Sequence, residues 1–268
     1  MIKRKKRFRK KSLQKRVLDY YKKNKRGFPW RKTRDPYKIL VSEVMLQQTQ
    51  ASRVVPKYVA FLKKYPTLLS LSKAKDHELL LLWSGLGYNR RAINLKRACQ
   101  GIVERFDGTL PQSEEALLNL PGIGPYTARA ILAFAFNKEV PVVDTNIRRI
   151  LICEFGLDED ISSNELEKAA RKAIPKGKSC IWHNALMDYG AMVATARKTG
   201  VSSLGKQGKF EGSRRWYRSQ IVKIALERET LVRDVSKHLK KPIGFIRELC
   251  LELSKEGLIR FKDPRIWV

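Results

Sequence analysis

Long apolar runs are missing from this sequence of 268 residues. No apolar run approaches the roughly 18 to 20 residues that a bilayer span needs, so we expect no membrane protein. The first residues, MIKRKKRFRKK, lack the apolar stretch of a signal peptide, and export is therefore not expected. These absences predict a cytoplasmic protein, or a nuclear one if the source is eukaryotic.

Cysteine is scarce, and its positions fit no known kind of framework. The four cysteines form no CxxC pair, no metal-ligand spacing and no convincing disulfide pattern; they are Cys99, Cys153, Cys180 and Cys250. Strand-like alternation of apolar and polar residues is also nearly absent. The sequence therefore predicts a helical protein of a reducing compartment.

Acidic residues are few, and the charge balance is strongly positive. The chain has 56 Lys and Arg against 26 Asp and Glu, a net charge of +30. Such an excess indicates a polyanionic partner, for which nucleic acid is the leading candidate. Residues 1–34 alone contain seventeen basic residues and one acid, Asp19. We expect residues 1–11 to form a mobile basic tail.

Apolar residues recur at helical spacing through most of the chain. A first helix is expected from Ser12 as N-cap, and residues 12–194 should form one all-α domain. Residues 195–215 hold four Gly and predict an irregular linker. Residues 216–268 predict three helices and a hairpin, as in a small winged-helix-like module. The helices expected before the linker are 36–48, 52–64, 76–84, 89–106, 113–120, 125–136, 144–155, 164–173 and 180–193.

The string LPGIGPYTA, residues 120–128, lies between two predicted helices. Gly122 and Gly124 would let the backbone turn tightly and present successive N–H groups at a helix N-terminus, which is an anion site of phosphate size. An ordinary connection between two helices is the alternative. The complete string in so basic a chain favours a hairpin that binds phosphate.

The hairpin string is followed by Pro141-Val-Val-Asp144, and together they resemble the helix-hairpin-helix and Gly-Pro-Asp region of the HhH-GPD superfamily of DNA glycosylases. The resemblance covers roughly residues 13–200. The strings FPWR (28–31), DPY (35–37), SEVMLQQT (42–49) and LWSGLGY (82–88) are similar to those of MutY-type adenine DNA glycosylases. The resemblance implies two helical subdomains with the active-site cleft between them. It also implies a Na⁺ or K⁺ ion at the hairpin, on the carbonyls of Leu118, Leu120 and Ile123.

Glu43 is the candidate general acid. Ile39, Leu40 and Leu46 lie one helical turn away, so its side chain falls on or beside an apolar face. Desolvation there would raise the pKa of Glu43 and keep it protonated near neutral pH. A carboxylic acid at the adenine ring could then protonate the leaving base, although a salt-bridged surface residue is the common role of such a Glu.

Asp144 stands at the start of a predicted helix, where Asp is a good N-cap. By resemblance it is also the essential aspartate of the superfamily. The two roles are compatible, because helix N–H groups would keep the carboxylate ionised to stabilise the sugar cation or attack it. Asn146 is expected to orient Asp144.

Tyr126 bears on the subtype of the reaction. Related enzymes of the endonuclease III type have a lysine at this place in the hairpin, whose amine forms a Schiff base with the sugar and cuts the strand. A phenol cannot form that bond. We therefore expect a monofunctional glycosylase in which Tyr126 hydrogen-bonds within the catalytic group, with simple hairpin packing as the alternative.

Other site residues follow from the resemblance, because an enzyme that acts on a base must extrude it from the stack. Gln48 and Thr49 would wedge the duplex open and contact the opposite base, beside which Tyr88 would intercalate. The residues expected to line the adenine pocket are Trp30, Arg31 and Leu46, with Asn184 bonding an adenine edge. Trp30 could instead serve only the core, and His183 is expected to pack rather than to catalyse.

The sequence departs from the family at two places. Most members carry Cys-x6-Cys-x2-Cys-x5-Cys after the stretch that here is Asp188-Tyr-Gly-Ala-Met192, but this spacing falls on Ala194, Val201, Leu204 and Phe210. None of these can ligate iron, so we expect no iron–sulfur cluster and an apolar staple in its place. Only 58 residues follow Phe210, fewer than a Nudix-like domain that would check for 8-oxoguanine.

The leading hypothesis is a monomeric base excision repair enzyme that acts on double-stranded DNA containing a mispair. It would hydrolyse the N-glycosidic bond of adenine opposite 8-oxoguanine or guanine and need no cofactor. One alternative is a mismatch enzyme that removes thymine or uracil opposite guanine. Another is a DNA-binding protein without catalysis, against which the joint presence of Glu43, Asp144 and Asn146 argues.

Overall fold

Helices predominate in the computed structural model, which describes residues 10–201 and 208–268. The predicted all-α class is confirmed. None of the helices in these two ranges is long and apolar enough to cross a membrane. Most of the predicted tail, residues 1–9, lies outside the described residues, as does Leu204. The helices are α1 (Lys10–Asn24), α2 (Pro36–Leu46), α3 (Ala51–Lys64), α4 (Leu68–Ser72), α5 (Asp76–Trp83), α6 (Arg90–Phe106), α7 (Glu114–Leu118), α8 (Pro125–Phe134), α9 (Thr145–Phe155), α10 (Ser163–Ala173), α11 (Ser179–Met192), α12 (Ala196–Thr199), α13 (Arg214–Glu227), α14 (Val232–Leu239) and α15 (Ile243–Lys255).

Three strands and one 3-10 helix complete the secondary structure of this part of the chain. The 3-10 helix is Pro29–Lys32, and the strands are β1 (Thr230–Leu231), β2 (Arg260–Lys262) and β3 (Arg265–Trp267). The predicted hairpin is β2 with β3. Strand β1 was not expected, because two residues are too short to show periodicity. It pairs with β3 and makes an antiparallel sheet of order β1-β3-β2.

The expected N-cap at Ser12 is wrong. Ser12 lies inside α1, which already includes Lys10, and its hydroxyl accepts a hydrogen bond from Arg16 one turn later. Lysine is a good helix former, so nothing at positions 10 and 11 stops the helix. The helix is fixed instead by its apolar stripe, since Leu13 and Val17 are buried in the core that α1 shares with α11.

Contacts divide the chain into two compact units. Of the described residues, unit 1 contains 10–43, 112–119 and 123–201. Its core is built from the apolar faces of α1, α9, α10 and α11, with Trp182 completely buried at its centre. Helix α11 contacts α1, α8 and α9 and so reaches most of the unit. The candidate catalytic residues of this unit lie in α2 (Glu43), in the first turn of α8 (Tyr126) and at the N-cap of α9 (Asp144).

Unit 2 contains residues 44–111, 120–122 and 208–268. Trp83 of α5 is completely buried there and makes an edge-to-face contact with Phe61 of α3. The C-terminal part has the three helices and the hairpin that were predicted. It belongs to the same unit as α3 to α6, so the compact units do not follow the predicted division at residue 215. The nitrogen Nε2 of His77 in α5 bonds the Leu226 carbonyl of α13 at 3.0 Å.

Candidate active site

Glu43 is buried, as its apolar neighbours predicted. It lies in the next-to-last turn of its helix, where Ile39 and Leu40 are also almost fully buried, and its own exposed fraction is 6%. The pKa of Glu43 is raised to about 8, mainly by burial and less by the nearby Asp144 carboxylate, while the Arg31 guanidinium acts in the opposite direction. A carboxyl group with this pKa is largely protonated at neutral pH. The electrostatic requirement for a general acid is therefore met.

Asp144 caps helix α9, as predicted. Its Oδ1 accepts a hydrogen bond of 2.7 Å from the backbone N–H of Ile147, and its Oδ2 accepts one of 3.3 Å from the Asn146 side chain. Asn146 is fixed in turn, because its Oδ1 accepts a hydrogen bond of 3.1 Å from Arg149. This chain of bonds gives Asn146 the orienting position that the sequence suggested.

Two opposing effects act on the pKa of Asp144. We expected the helix N–H groups to keep the carboxylate ionised, and their hydrogen bonds do lower its pKa, but burial is the larger effect and raises the pKa above its ordinary value. The hydrogen bonds from Ile147 and Asn146 and the charge of Arg149 lower the pKa and offset only part of this effect. Burial wins because a buried carboxylate loses water on all sides, whereas a cap replaces only one or two of its hydrogen bonds.

Tyr126 shares an electrostatic environment with both carboxyl groups. Burial raises the pKa of its phenol well above the ordinary value, and the charges of Glu43 and Asp144 raise it further. The phenol therefore stays protonated and can donate a hydrogen bond, but it cannot act as a base at neutral pH. The structure thus brings together Glu43, Tyr126 and Asp144, three groups that sequence analysis assigned to one catalytic group.

Arg31 is held by a partner that sequence analysis missed. The completely buried carboxylate of Asp188 accepts hydrogen bonds of 2.7 and 2.9 Å from the two terminal nitrogens of Arg31. The same carboxylate accepts bonds from the Arg26 side chain at 2.5 Å and from the Arg26 backbone N–H at 3.0 Å. Two arginines make the pKa of Asp188 fall below its ordinary value despite its burial. Asp188 thereby fixes the cation whose charge acts on Glu43.

The remaining pocket candidates of unit 1 are buried beside this network. Trp30 is 8% exposed and stacks on Phe28 with 4.9 Å between ring centroids, so both the core and the pocket interpretations stay open. Asn184 is 9% exposed, and its amide donates to the Cys180 carbonyl of its own helix at 3.0 Å. The contact of Asn184 with a base stays a prediction.

His183 packs, as expected, but it also supports the catalytic segment. Its Nε2 accepts a hydrogen bond of 3.2 Å from the backbone N–H of Val142, two residues before Asp144. Its Nδ1 is 2.8 Å from the Ser179 carbonyl, to which it donates. Burial lowers the pKa of His183 to about 4, so the ring is neutral at neutral pH and can accept the bond from Val142.

Gln48 and Tyr88, the expected wedge and intercalating residues, both have left-handed backbone conformations. Their φ angles are 54° and 48°, which is uncommon for residues other than glycine. Gln48 is exposed, and Tyr88 is 40% exposed although it is a large aromatic. Such strain is found where surrounding contacts hold a segment in a functional conformation.

Arg91 supplies those contacts, and sequence analysis did not find it. Its guanidinium lies over two aromatic rings, 5.6 Å from the ring centroid of Tyr88 and 5.3 Å from the ring centroid of Trp83. Burial lowers the pKa of Arg91 to about 10, which still leaves it charged at neutral pH. Its terminal nitrogens donate at 2.6 to 3.2 Å to the Thr49 hydroxyl and to the carbonyls of Val44, Met45, Gln47, Leu86 and Gly87. One side chain thus joins the end of α2 to the turn that carries Tyr88. A charged residue with no motif around it gave no signal of this role.

Of the two glycines in the hairpin between α7 and α8, only Gly122 has a backbone conformation and surroundings that require glycine. Gly122 has φ 77°, and a Cβ there would lie 2.8 Å from the Asn94 Cβ. Gly124 has an ordinary φ of −91° and open space around it, so our backbone argument for this residue is wrong. It caps α8, where a small residue leaves the N–H groups accessible. The phosphate contact and the cation on the carbonyls of Leu118, Leu120 and Ile123 stay predictions.

The segment after α11 does not fit an iron–sulfur cluster. The four positions that the family's cysteine spacing gives hold no cysteine or histidine. In the described ranges, no group of three His, Cys, Asp or Glu residues could hold a metal. Val201 is 5% exposed and Ala194 packs on the core of unit 1, as an apolar staple requires. Phe210 is 52% exposed, so its part in the staple is wrong. All of the residues at these positions are apolar, and this property alone did not show that Val201 would be buried and Phe210 exposed.

Comparisons with known proteins agree with this site. Residues 41–176 match the HhH-GPD superfamily of base excision DNA repair proteins. The adenine DNA glycosylase of Mycolicibacterium smegmatis is 40% identical over 184 residues, which are 68% of this chain and 63% of that protein. The thymine/uracil-DNA glycosylase of Methanothermobacter thermautotrophicus is 33% identical over 193 residues, 70% of this chain and 87% of that protein.

A solved structure shows the same fold. The structure of a thermostable thymine-DNA glycosylase has a TM-score of 0.67 and 33% sequence identity, and the match covers 71% of this chain and 89% of that one. The chain spans somewhat less than two thirds of the Mycolicibacterium enzyme. The match to the superfamily itself covers half of the chain and includes Glu43, Tyr126 and Asp144. The protein belongs to the HhH-GPD superfamily of base excision DNA repair proteins.

Proposed function

We propose that the protein is a monofunctional DNA glycosylase that removes adenine mispaired with 8-oxoguanine or guanine. The observation that carries the proposal is the burial of Glu43, which raises its pKa to about 8 beside Asp144. A protonated acid and an ionised carboxylate are the two groups that cleavage of a purine N-glycosidic bond requires, and we assign these roles to Glu43 and Asp144. The adenine strings around Glu43 and the 40% identity to an adenine DNA glycosylase support this substrate.

In the proposed reaction, Glu43 donates its proton to the extruded adenine ring. The N-glycosidic bond then breaks, and its electron pair leaves with the base. The carboxylate of Asp144 stabilises the positive charge that develops on the sugar. Water adds to the sugar carbon and loses a proton, so the products are free adenine and an abasic site. Tyr126 donates a hydrogen bond within this group and forms no covalent bond to the sugar.

The proposed partner is double-stranded DNA, which the protein binds as a monomer in the cytoplasm or the nucleus. The net charge of +30 supports a polyanionic partner. No cofactor is proposed for the chemistry, and an iron–sulfur cluster is not expected, because the sequence lacks cysteine at the four positions. A Na⁺ or K⁺ ion at the hairpin belongs to the same proposal.

Removal of thymine or uracil opposite guanine is the second candidate. It is supported by the 87% coverage of the Methanothermobacter enzyme at 33% identity. One assay separates the candidates: labelled duplexes with a single mispaired A, T or U are incubated with the protein and then treated with alkali. Strand breaks at A opposite 8-oxoguanine or guanine support the proposal, and breaks only at T or U support the alternative. Breaks without alkali contradict the monofunctional reaction, and no breaks at all contradict catalysis.

A further inference from the structure

The C-terminal part of unit 2 reaches the side chain that was expected to intercalate. Arg215, in the first turn of α13, donates a hydrogen bond of 2.6 Å from Nη1 to the hydroxyl of Tyr88. Its guanidinium also lies 5.9 Å from the centroid of the Tyr88 ring. Residues 88 and 215 are 127 positions apart in the sequence, so this contact exists only because the C-terminal helices fold onto α5.

Tyr88 is thereby contacted by two arginines. Arg91 lies over the ring at 5.6 Å and bonds the carbonyl of the preceding Gly87 at 2.9 Å, so it fixes the backbone. Arg215 bonds the hydroxyl at the far end of the ring. Tyr88 has a left-handed backbone conformation, which costs energy, and it lies in a turn with two glycines of positive φ. Arg91 stabilises this backbone conformation, and Arg215 restricts the rotation of the ring.

Arg215 differs from the other arginines of its helix. Arg214 pairs with Glu248 and Glu252, and Arg218 pairs with Glu252 and Glu256. These pairs join α13 to α15. Within the ranges that the structure describes, no carboxylate pairs with Arg215, whose second terminal nitrogen bonds the Gly208 carbonyl at 3.2 Å. Among these described residues, no ion pair neutralises the charge of Arg215.

Two further contacts hold the C-terminal part, which carries Arg215, against α5 and α6. His77 of α5 bonds the Leu226 carbonyl at the other end of α13. A Cβ at Gly257, just after α15, would lie 2.7 Å from the guanidinium of Arg97 in α6, which shows how closely the turn approaches that helix. The C-terminal end of α13 is thus held against α5, and the turn after α15 is held close to α6.

We propose that Arg215 is a positioning residue for Tyr88, through which the C-terminal module takes part in discriminating the base opposite the excised one. This inference rests on the proposed function and on the expectation that Tyr88 inserts beside the opposite base. The guanidinium holds the ring in one direction by a charge-assisted hydrogen bond to its hydroxyl. The module would thus contribute to recognition of the opposite base.

The test compares Arg215→Met with Arg214→Met, which removes the same charge from the neighbouring residue. The first readout is fluorescence of 2-aminopurine placed next to a guanine or 8-oxoguanine opposite a non-cleavable abasic analogue, since ring insertion unstacks the probe. The second is the ratio of single-turnover excision rates for adenine opposite 8-oxoguanine and opposite guanine. We expect Arg215→Met to reduce the fluorescence rise and to lower the rate ratio about tenfold, the effect of one charge-assisted hydrogen bond. Arg214→Met should change neither.

Tyr88→Phe tests whether the effect passes through the tyrosine hydroxyl. If it does, this variant reproduces Arg215→Met and the double variant shows no further loss. Arg215→Lys should recover part of both signals, because it restores a charged donor. Independent losses that multiply in the double variant, or an Arg215→Met protein that behaves as Arg214→Met does, would overturn the inference.

The two proposals fail in different ways. A wild-type protein that releases no adenine contradicts the proposed function, but the fluorescence readout needs no base release and still tests Arg215. Melting temperatures of all variants identify any that misfold. In that case Arg215→Lys and Tyr88→Phe, which preserve most of the packing, decide the question.

Discussion

Gly190 lies directly against Asn146, with no room for a side chain between them. A Cβ at Gly190 would lie 2.8 Å from the Asn146 Cβ and 3.1 Å from Cδ1 of Ile150. Helices α11 and α9 are therefore in close contact where Asn146 bonds the carboxylate of Asp144. The orientation of the Asp144 carboxylate therefore depends on Gly190 in α11, because a side chain at position 190 would displace Asn146.

Gly190→Ala should therefore damage both stability and catalysis. The added methyl group must displace Asn146 or separate the helices, and overpacking of this kind costs about 1 to 3 kcal/mol of unfolding free energy. We expect adenine excision to slow by about tenfold or more as Asn146 moves. Gly244→Ala is the control, because nothing lies within 4 Å of that position in α15. It should stabilise the protein by up to about 1 kcal/mol, and unchanged melting and excision in Gly190→Ala would refute the packing argument.

Asp144→Asn should abolish excision while the protein still folds and binds duplex DNA. An amide oxygen can keep the cap on Ile147 N–H, but a neutral group cannot stabilise a sugar cation. We expect a rate loss of about a thousandfold or more.

Asp35→Asn is the matched control for the cap at Asp144. Asp35 also caps a helix, with Oδ1 accepting a hydrogen bond of 2.9 Å from Tyr37 N–H, and it should keep nearly full excision activity. Single-turnover rates and binding curves check both variants, and an active Asp144→Asn protein would remove this residue from the mechanism.

Glu43→Gln should stabilise the protein, and more at high pH than at low pH. The pKa of Glu43 is about 8 in the folded protein and close to 4.5 in the unfolded chain. Its contribution to stability is therefore fully present below about pH 4.5 and is lost as the pH rises through about 8. Glutamine does not ionise, so the variant should gain more than about 2 kcal/mol over the wild type at about pH 8, and much less at about pH 5.

Denaturant unfolding at the two pH values measures the effect of Glu43→Gln. The exposed Glu104, in α6, provides the control variant Glu104→Gln, which keeps Glu43 and should therefore differ from the wild type by the same small amount at both pH values. A gain in Glu43→Gln that does not depend on pH would mean that Glu43 is not held protonated by burial.

Arg91→Met should lower the unfolding free energy by about 2 to 4 kcal/mol, because several buried carbonyl groups lose a charged donor together. The end of α2 and the Tyr88 turn would lose their connection, so binding of mispaired duplexes should weaken as well. Arg90→Met, which alters the exposed neighbour in the same helix, should stay within about 0.5 kcal/mol of the wild type. Equal unfolding curves for the two variants would show that Arg91 does not join these segments.

The sequence predicted those parts of the site that depend on local spacing. Ile39 and Leu40 one turn before Glu43 indicated its burial, and the position of Asp144 before an apolar helix indicated an N-cap. Both features depend on residues within four positions of each other, which periodicity resolves. The helices were found for the same reason, whereas β1 was too short for any pattern.

The parts that the sequence did not predict depend on distant residues. Asp188 is 157 positions from Arg31, and Arg215 is 127 positions from Tyr88, so no local pattern joins them. The sign of the pKa shift at Asp144 depends on how completely the carboxylate is desolvated, which only the folded core decides. Phe210 shows the converse, since an apolar residue at the right spacing is left exposed.

The pH dependence of kcat/KM for adenine excision tests the central claim most directly, because this parameter reports the ionisation of the free enzyme. In the proposed mechanism the protonated form of Glu43 is the active one, and the pKa of Glu43 is about 8. We therefore expect kcat/KM to be at its maximum near neutral pH and to fall tenfold per pH unit above about pH 8. This decrease should be absent from the residual activity of Glu43→Gln, because glutamine does not ionise. A kcat/KM that stays level from about pH 7 to about pH 10 in folded wild-type protein, or a Glu43→Gln variant with full activity, would contradict it.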